Sequence, residues 1–109
     1  MAALEFDAAT TALVVVDMQN DFCHAKGYYA NIGRNIAPLA APTSMIAHLL
    51  EDCRRASATV AFTRLVYDSA EGSMEDRHKL KPKRWSAHGK RLVPDTWGAE
   101  VLDELAPRS

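Results

Sequence analysis

The chain has 109 residues, of which 48% are hydrophobic and 25% are charged, a balance typical of a globular domain and not of a disordered chain. Its formal net charge of -1 excludes a strongly basic surface, so we expect neither nucleic acid nor membrane as a partner. The N-terminus lacks the features of a signal peptide, and Cys23 and Cys53 are too few for a disulfide framework. These features favour a cytoplasmic location.

The first predicted element is a strand at about residues 11–17. Leu13 to Val16 is a continuous apolar run with three β-branched residues, a composition typical of a strand buried on both faces of a parallel sheet. The run stops at Asp17, at the carboxyl end of the strand, where open α/β sheets place their ligand sites. Partial burial there would raise the proton affinity of the carboxylate and make Asp17 a candidate general base. An aspartate after a strand also often caps the next turn, and both interpretations stay open.

A long loop is predicted at residues 18–37, because several glycine and asparagine residues interrupt the pattern there. Loops of this length in compact domains are usually functional. Three aromatic side chains in it could line a pocket or simply pack the loop onto the sheet: Phe22, Tyr28 and Tyr29.

A helix is predicted at about residues 39–57, with Pro42 in its first turn. Its apolar residues fall on one face at helical spacing. A second β-branched run predicts a strand at about residues 59–65, and strand, helix and strand together predict a parallel βαβ unit. Thr63 and Arg64 would then end beside Asp17 and could face the same site.

The rest of the chain contains a polar, basic loop at residues 67–91 and a short predicted helix at residues 93–105. Trp85 in the loop could be a lid aromatic. In the short helix, Asp95 or Thr96 could serve as N-cap. Its apolar stripe would consist of Val101, Leu102 and Leu105. The four histidines are scattered without the spacing of metal ligands, so we expect no metal site and no cofactor.

The sequence from Val14 to Phe22, followed by Cys23-His24 and Gly27-Tyr28, resembles the first strand and loop of the isochorismatase-like cysteine hydrolases. That family includes nicotinamidases, N-carbamoylsarcosine amidases, biuret hydrolases and ureidoacrylate amidohydrolases. The resemblance continues in order through Phe62-Thr63-Arg64 and the segment 96–100. It implies an α/β fold, a three-layer αβα Rossmann-like parallel sheet that is incomplete here. The chain would be a single isochorismatase-like domain over residues 1–109, truncated before the third strand, with only the first βαβ unit and a short helix.

The resemblance also implies a function: hydrolysis of C–N bonds in small amide, carbamoyl or ureido compounds by an Asp, a Lys and a nucleophilic Cys. Asp17 matches the Asp, whereas the Lys after the third strand and the Cys after the fourth have no counterpart. Cys23 does not match the nucleophile. The loop and the segment 92–105 look most like the ureidoacrylate and biuret enzymes. Candidate substrate-binding residues are Phe22, Gln19 and Arg64.

A second interpretation belongs to a different class of protein. Because the matching Lys and Cys are absent, the chain could be a catalytically silent fold fragment. Uncovered strand edges would then favour self-association into a homo-oligomer, or binding to a full-length relative.

Overall fold

The computed structural model describes residues 3–67 and 91–108, and the predictions for Trp85 and the rest of the basic loop lie outside them. In this part of the chain the sheet has two strands, β1 (Ala12–Val16) and β2 (Thr59–Thr63). The strands are parallel, with Ala12 opposite Thr59 and Val16 opposite Thr63. The predicted parallel βαβ unit is therefore confirmed.

Four helices connect the two strands: α1 (Asn20–Cys23), α2 (Tyr28–Asn31), α3 (Ala37–Ala40) and α4 (Thr43–Arg55). The helix predicted at about residues 39–57 is confirmed as α4, but it begins only at Thr43, because the chain breaks at Pro42, which precedes it. Proline has no N–H to donate to the carbonyl of Pro38, and its ring collides with that carbonyl in a continuous helix. None of the helices in the described residues is long and apolar enough to cross a membrane.

The core lies between the sheet and α4. Leu13 and Val15 of β1, with Val60 and Phe62 of β2, face this side of the sheet. Leu50 of α4 is only 1% exposed, and burying a leucine side chain stabilises a fold by about 1.5–3 kcal/mol. Further buried members of the cluster are Met18, Cys23, Val101, Leu102 and Leu105. The core therefore joins the βαβ unit to the segment near the C-terminus.

The opposite face of the sheet is bare among the described residues. Val14 is 51% exposed and Val16 is 60% exposed. Successive side chains of a strand point to opposite faces, and α4 packs against only one of them. The composition of β1 is typical of a strand buried on both faces, but among the described residues α4 covers only one of them.

The predicted helix at residues 93–105 was also wrong. The segment contains two short 3-10 turns, Trp97–Ala99 and Asp103–Leu105, with extended backbone between them. Val101 pairs with Gln19 as an antiparallel bridge. This pairing supplies backbone hydrogen bonds that a helix would have supplied within itself, since the Leu102 N–H donates to the Met18 carbonyl at 3.0 Å. The three residues of the predicted apolar stripe are buried, as expected.

Candidate active site

Asp17 follows β1 directly and turns the chain sharply out of the sheet. Its φ of 55° lies in the left-handed region, which few non-glycine residues adopt and which aspartate tolerates better than most. The Gln19 N–H donates to the Asp17 carbonyl at 2.9 Å and closes a three-residue turn. The half-buried Asp17 is thereby held at the carboxyl end of the first strand.

The carboxylate of Asp17 is held on one side only. Its Oδ1 accepts a hydrogen bond from the Thr63 hydroxyl at 2.7 Å. Its Oδ2 makes no hydrogen bond to any described residue, and neither oxygen accepts a backbone N–H of the following turn within residues 3–67 and 91–108. The side chain of Asp17 therefore makes no turn-capping hydrogen bond among these residues, and its role as a general base stays a prediction. The bond to Oδ1 confirms that Thr63, at the end of β2, lies beside Asp17.

Gln19 is completely buried and links two separate segments through its side-chain amide. Its Nε2 donates to the carbonyls of Leu65 and Ala99, both at 2.8 Å. Its Oε1 accepts the Leu65 N–H at 2.9 Å. The amide therefore ties the residues after β2 to the segment that pairs with the loop. Substrate binding by Gln19 stays a prediction, and both of its amide protons already serve the backbone.

The next two residues, which the sequence analysis did not single out, hold the same loop in place. Asn20 is buried and donates from Nδ2 to the Trp97 carbonyl at 2.7 Å. The two carboxylate oxygens of Asp21 accept the Tyr28 N–H at 3.1 Å and the Leu92 N–H at 2.7 Å. A run of polar residues directly after an apolar strand was the signal for this arrangement, since buried polar groups need partners.

Two glycines let this loop pack closely. A Cβ atom on Gly98 would collide with the carboxylate of Asp21, and one on Gly27 would collide with the carbonyl of Asn20. Gly27 therefore requires a residue without a side chain, because the clash is with backbone, whereas a side chain at Gly98 would have to displace the Asp21 carboxylate.

Phe22 and Arg64, two of the predicted substrate-binding residues, lie in different environments. The Phe22 ring meets Tyr29 edge to face, with ring centroids 5.1 Å apart, and packs against the core. Arg64 follows β2 directly and is exposed. Tyr28 is buried, and the guanidinium of Arg91 lies 5.9 Å from its ring. The loop aromatics therefore pack the loop, while the substrate-binding roles of Phe22 and Arg64 stay predictions.

Cys23 lies in a setting that suits a structural thiol. It is 6% exposed, and its Sγ donates to the Leu39 carbonyl at 3.6 Å. Burial raises the pKa of the Cys23 thiol above its ordinary value, although a hydrogen bond with the Gln19 backbone opposes this. The thiolate is the nucleophilic form, so Cys23 is poorly suited to attack a carbonyl carbon.

The histidine and acidic side chains of the described residues form no metal centre. No group of three or more His, Cys, Asp or Glu side chains in residues 3–67 and 91–108 could hold a metal ion. His24 instead packs edge to face on Trp97, with centroids 4.9 Å apart, and its Nδ1 accepts the Lys26 N–H.

Comparison with known proteins identifies the family. Residues 11–109 match the family described as the Isochorismatase domain. The chain belongs to the isochorismatase family. This isochorismatase-family chain is 31% identical to the ureidoacrylate amidohydrolase RutB of Caulobacter vibrioides, over 96% of the chain and 51% of that protein. It is also 31% identical to the RutB of Azorhizobium caulinodans, over 90% of the chain and 48% of that protein.

Solved structures give the same family fold. A cysteine hydrolase from Pseudomonas syringae pv. phaseolicola superposes with a TM-score of 0.63 at 25% identity, over 98% of this chain and 46% of that one. An N-carbamoylsarcosine amidase from Thermoplasma acidophilum superposes with a TM-score of 0.56 at 28% identity, over 90% of this chain and 46% of that one. These matches confirm the family resemblance and the α/β fold class. The isochorismatase-family chain spans about half the length of the curated relatives it matches.

Proposed function

We propose that this chain supplies the proton-accepting carboxylate of a cysteine hydrolase that cleaves C–N bonds in small amide, carbamoyl or ureido compounds. The observation that carries the proposal is the geometry of Asp17, with one oxygen bound by Thr63 and the other free of hydrogen bonds to the described residues. The similar proteins named as ureidoacrylate amidohydrolase and N-carbamoylsarcosine amidase support this class of substrate.

The chemistry requires a base beside a thiol. A neutral thiol attacks an amide carbonyl poorly, whereas a thiolate attacks it well. In the proposed reaction, Asp17 takes the thiol proton through Oδ2, and the thiolate sulfur bonds to the carbonyl carbon. The C–N bond then breaks as Asp17 passes that proton to the leaving nitrogen, and water hydrolyses the resulting thioester to release the acid and restore the thiol. We assign the Lys and the nucleophilic Cys to the half of the relatives' length that this chain does not span.

Three residues near Asp17 are assigned roles in binding the substrate or in holding the site in place. Arg64 is an exposed guanidinium next to Thr63 and suits a carboxylate or carbonyl oxygen of the substrate. Phe22 would form an apolar wall, and Gln19 would act indirectly by fixing the backbone around the site.

Neither Cys23 nor Cys53 is in a disulfide, which agrees with a cytoplasmic location.

A fusion protein tests the proposal. The 109-residue chain is joined to the C-terminal half of the Caulobacter vibrioides RutB, and ammonia release is measured with a small ureido acid. We expect turnover by the fusion, none by the chain alone, and a loss of about 10²-fold or more in Asp17→Asn.

Asp95→Asn is the matched control for this substitution. Asp95 is exposed and, like Asp17, has a positive φ, of 61°, so the same chemical change occurs in the same backbone conformation. We expect it to leave turnover unchanged. A folded fusion whose Asp17→Asn variant keeps full activity would contradict the proposal. Turnover by the chain alone that disappears in Cys23→Ser would instead make Cys23 the nucleophile.

A self-associating or partner-binding fragment is the second candidate. The exposed Val14 and Val16 on the open face of the sheet favour it. We expect the chain to sediment as a dimer or larger species at micromolar concentration, and Val14→Thr with Val16→Thr to shift it toward monomer. A chain that stays monomeric at high concentration would exclude self-association.

A further inference from the structure

The hydroxyl of Thr63 makes two hydrogen bonds to one residue. Its Oγ1 donates to Asp17 Oδ1 at 2.7 Å and accepts the Asp17 backbone N–H at 3.2 Å. The same N–H also lies 3.2 Å from the Thr63 carbonyl oxygen, continuing the backbone ladder between the two strands. Thr63 therefore contacts both the backbone and the side chain of Asp17.

These two bonds fix the direction of the hydroxyl proton. A threonine hydroxyl has one proton to donate. Because its oxygen accepts the Asp17 N–H, its own proton is directed at Oδ1. The two carboxylate oxygens thereby become different, since Oδ1 carries a hydrogen bond and Oδ2 carries none to the described residues.

We propose that Thr63 is a positioning residue for Asp17: its hydroxyl holds the carboxylate in one rotamer and leaves Oδ2 as the oxygen that accepts the proton. The catalytic part of this inference rests on the proposed function, whereas the rotamer part does not. A base held in one orientation acts more efficiently than a rotating one, because misplacement of a reacting group is costly in rate.

The sequence offers a set of matched variants for this test. Thr63→Val keeps the branched shape and the backbone bond but removes the hydroxyl, while Thr63→Ser keeps the hydroxyl. Thr59 lies on the same face at the start of β2, and no hydrogen bond of its hydroxyl is found among the described residues. Thr59→Val therefore makes the same chemical change away from Asp17.

Nuclear magnetic resonance on the 109-residue chain measures the rotamer directly. Three-bond couplings between the Hα and the two Hβ protons of Asp17 report whether its side chain occupies one rotamer or several. We expect the couplings of a single rotamer, either one large and one small or two small, in the parent chain, Thr63→Ser and Thr59→Val, and two intermediate couplings in Thr63→Val. A single rotamer in a folded Thr63→Val would overturn the inference, and so would averaged couplings in the parent chain.

Kinetics on the fusion protein described above tests the catalytic part. We expect kcat to fall by about 10- to 100-fold in Thr63→Val with little change in KM, and to recover in Thr63→Ser. Unchanged kcat in Thr63→Val would overturn the catalytic part. If the fusion shows no turnover, the proposed function fails, but the couplings still decide whether Thr63 positions Asp17. If Thr63→Val does not fold, averaged couplings in Thr63→Ser would overturn the inference and a single rotamer there would support it.

Discussion

Replacing Gln19 with methionine tests how much the buried amide contributes to stability. The two side chains are similar in length, but methionine cannot replace the three hydrogen bonds to Leu65 and Ala99. The Ala99 carbonyl lies in a fully buried residue, while the bonds to Leu65 are partly buried. A buried group left without a partner costs about 1–3 kcal/mol, and a more exposed one costs less. We therefore expect Gln19→Met to lower the free energy of unfolding by about 3–4 kcal/mol, a large part of a typical domain's stability.

Urea unfolding followed by circular dichroism measures this loss. Asn31→Ala is a suitable control, because it also removes an amide that donates to a backbone carbonyl, that of Lys26, at 3.1 Å. Asn31 is exposed, so water can hydrogen-bond to this carbonyl once the amide is gone. We expect the control to lose less than about 1 kcal/mol. A Gln19→Met variant as stable as the parent chain, with an unchanged dependence on urea, would refute this account of the loop.

Two further predictions concern the loop and its thiol. Gly98→Ala should lower the free energy of unfolding by about 3 kcal/mol in urea unfolding, because the new Cβ displaces the Asp21 carboxylate from its backbone donors; equal stability would contradict the close packing. Burial raises the pKa of Cys23, so its stabilising contribution is present below the ordinary thiol pKa and is lost as pH rises through the raised value. Unfolding measured above about pH 8.5 should therefore show falling stability, and Cys23→Ala should reduce that slope; an unchanged slope in Cys23→Ala would contradict this cause.

The sequence predicted the elements in which periodicity and position agree. The β-branched runs predicted the two strands. The apolar residues at helical spacing between them predicted a crossover helix, and a crossover helix makes the two strands parallel, as observed. Because both strands run in the same direction, their ends meet, and this alone placed Thr63 beside Asp17. These predictions depend on local patterns and on one rule of chain connection, so they need no knowledge of tertiary contacts.

The errors occurred where tertiary contacts override local patterns. The spacing of Val101, Leu102 and Leu105 is compatible with a helix, but pairing with Gln19 extends the backbone at residues 100–102. The contacts of Asn20 with Trp97 and of Asp21 with Leu92 were missed for the same reason, since these partners lie 77 and 71 residues away. Local spacing carries no information about such distant backbone groups.

The polar run after β1 contains two carboxylates whose environments differ in a way that argues for the role of Asp17. Asp21 uses both oxygens to bind backbone N–H groups, and protonation would weaken these bonds, so it is suited to holding the loop. Asp17 accepts one hydrogen bond, from the Thr63 hydroxyl to Oδ1, and its Oδ2 accepts none from the described residues. It can accept a proton there without losing the Thr63 bond. A general base needs an oxygen of this kind, and in this run only the Asp17 carboxylate offers one within the described part of the chain.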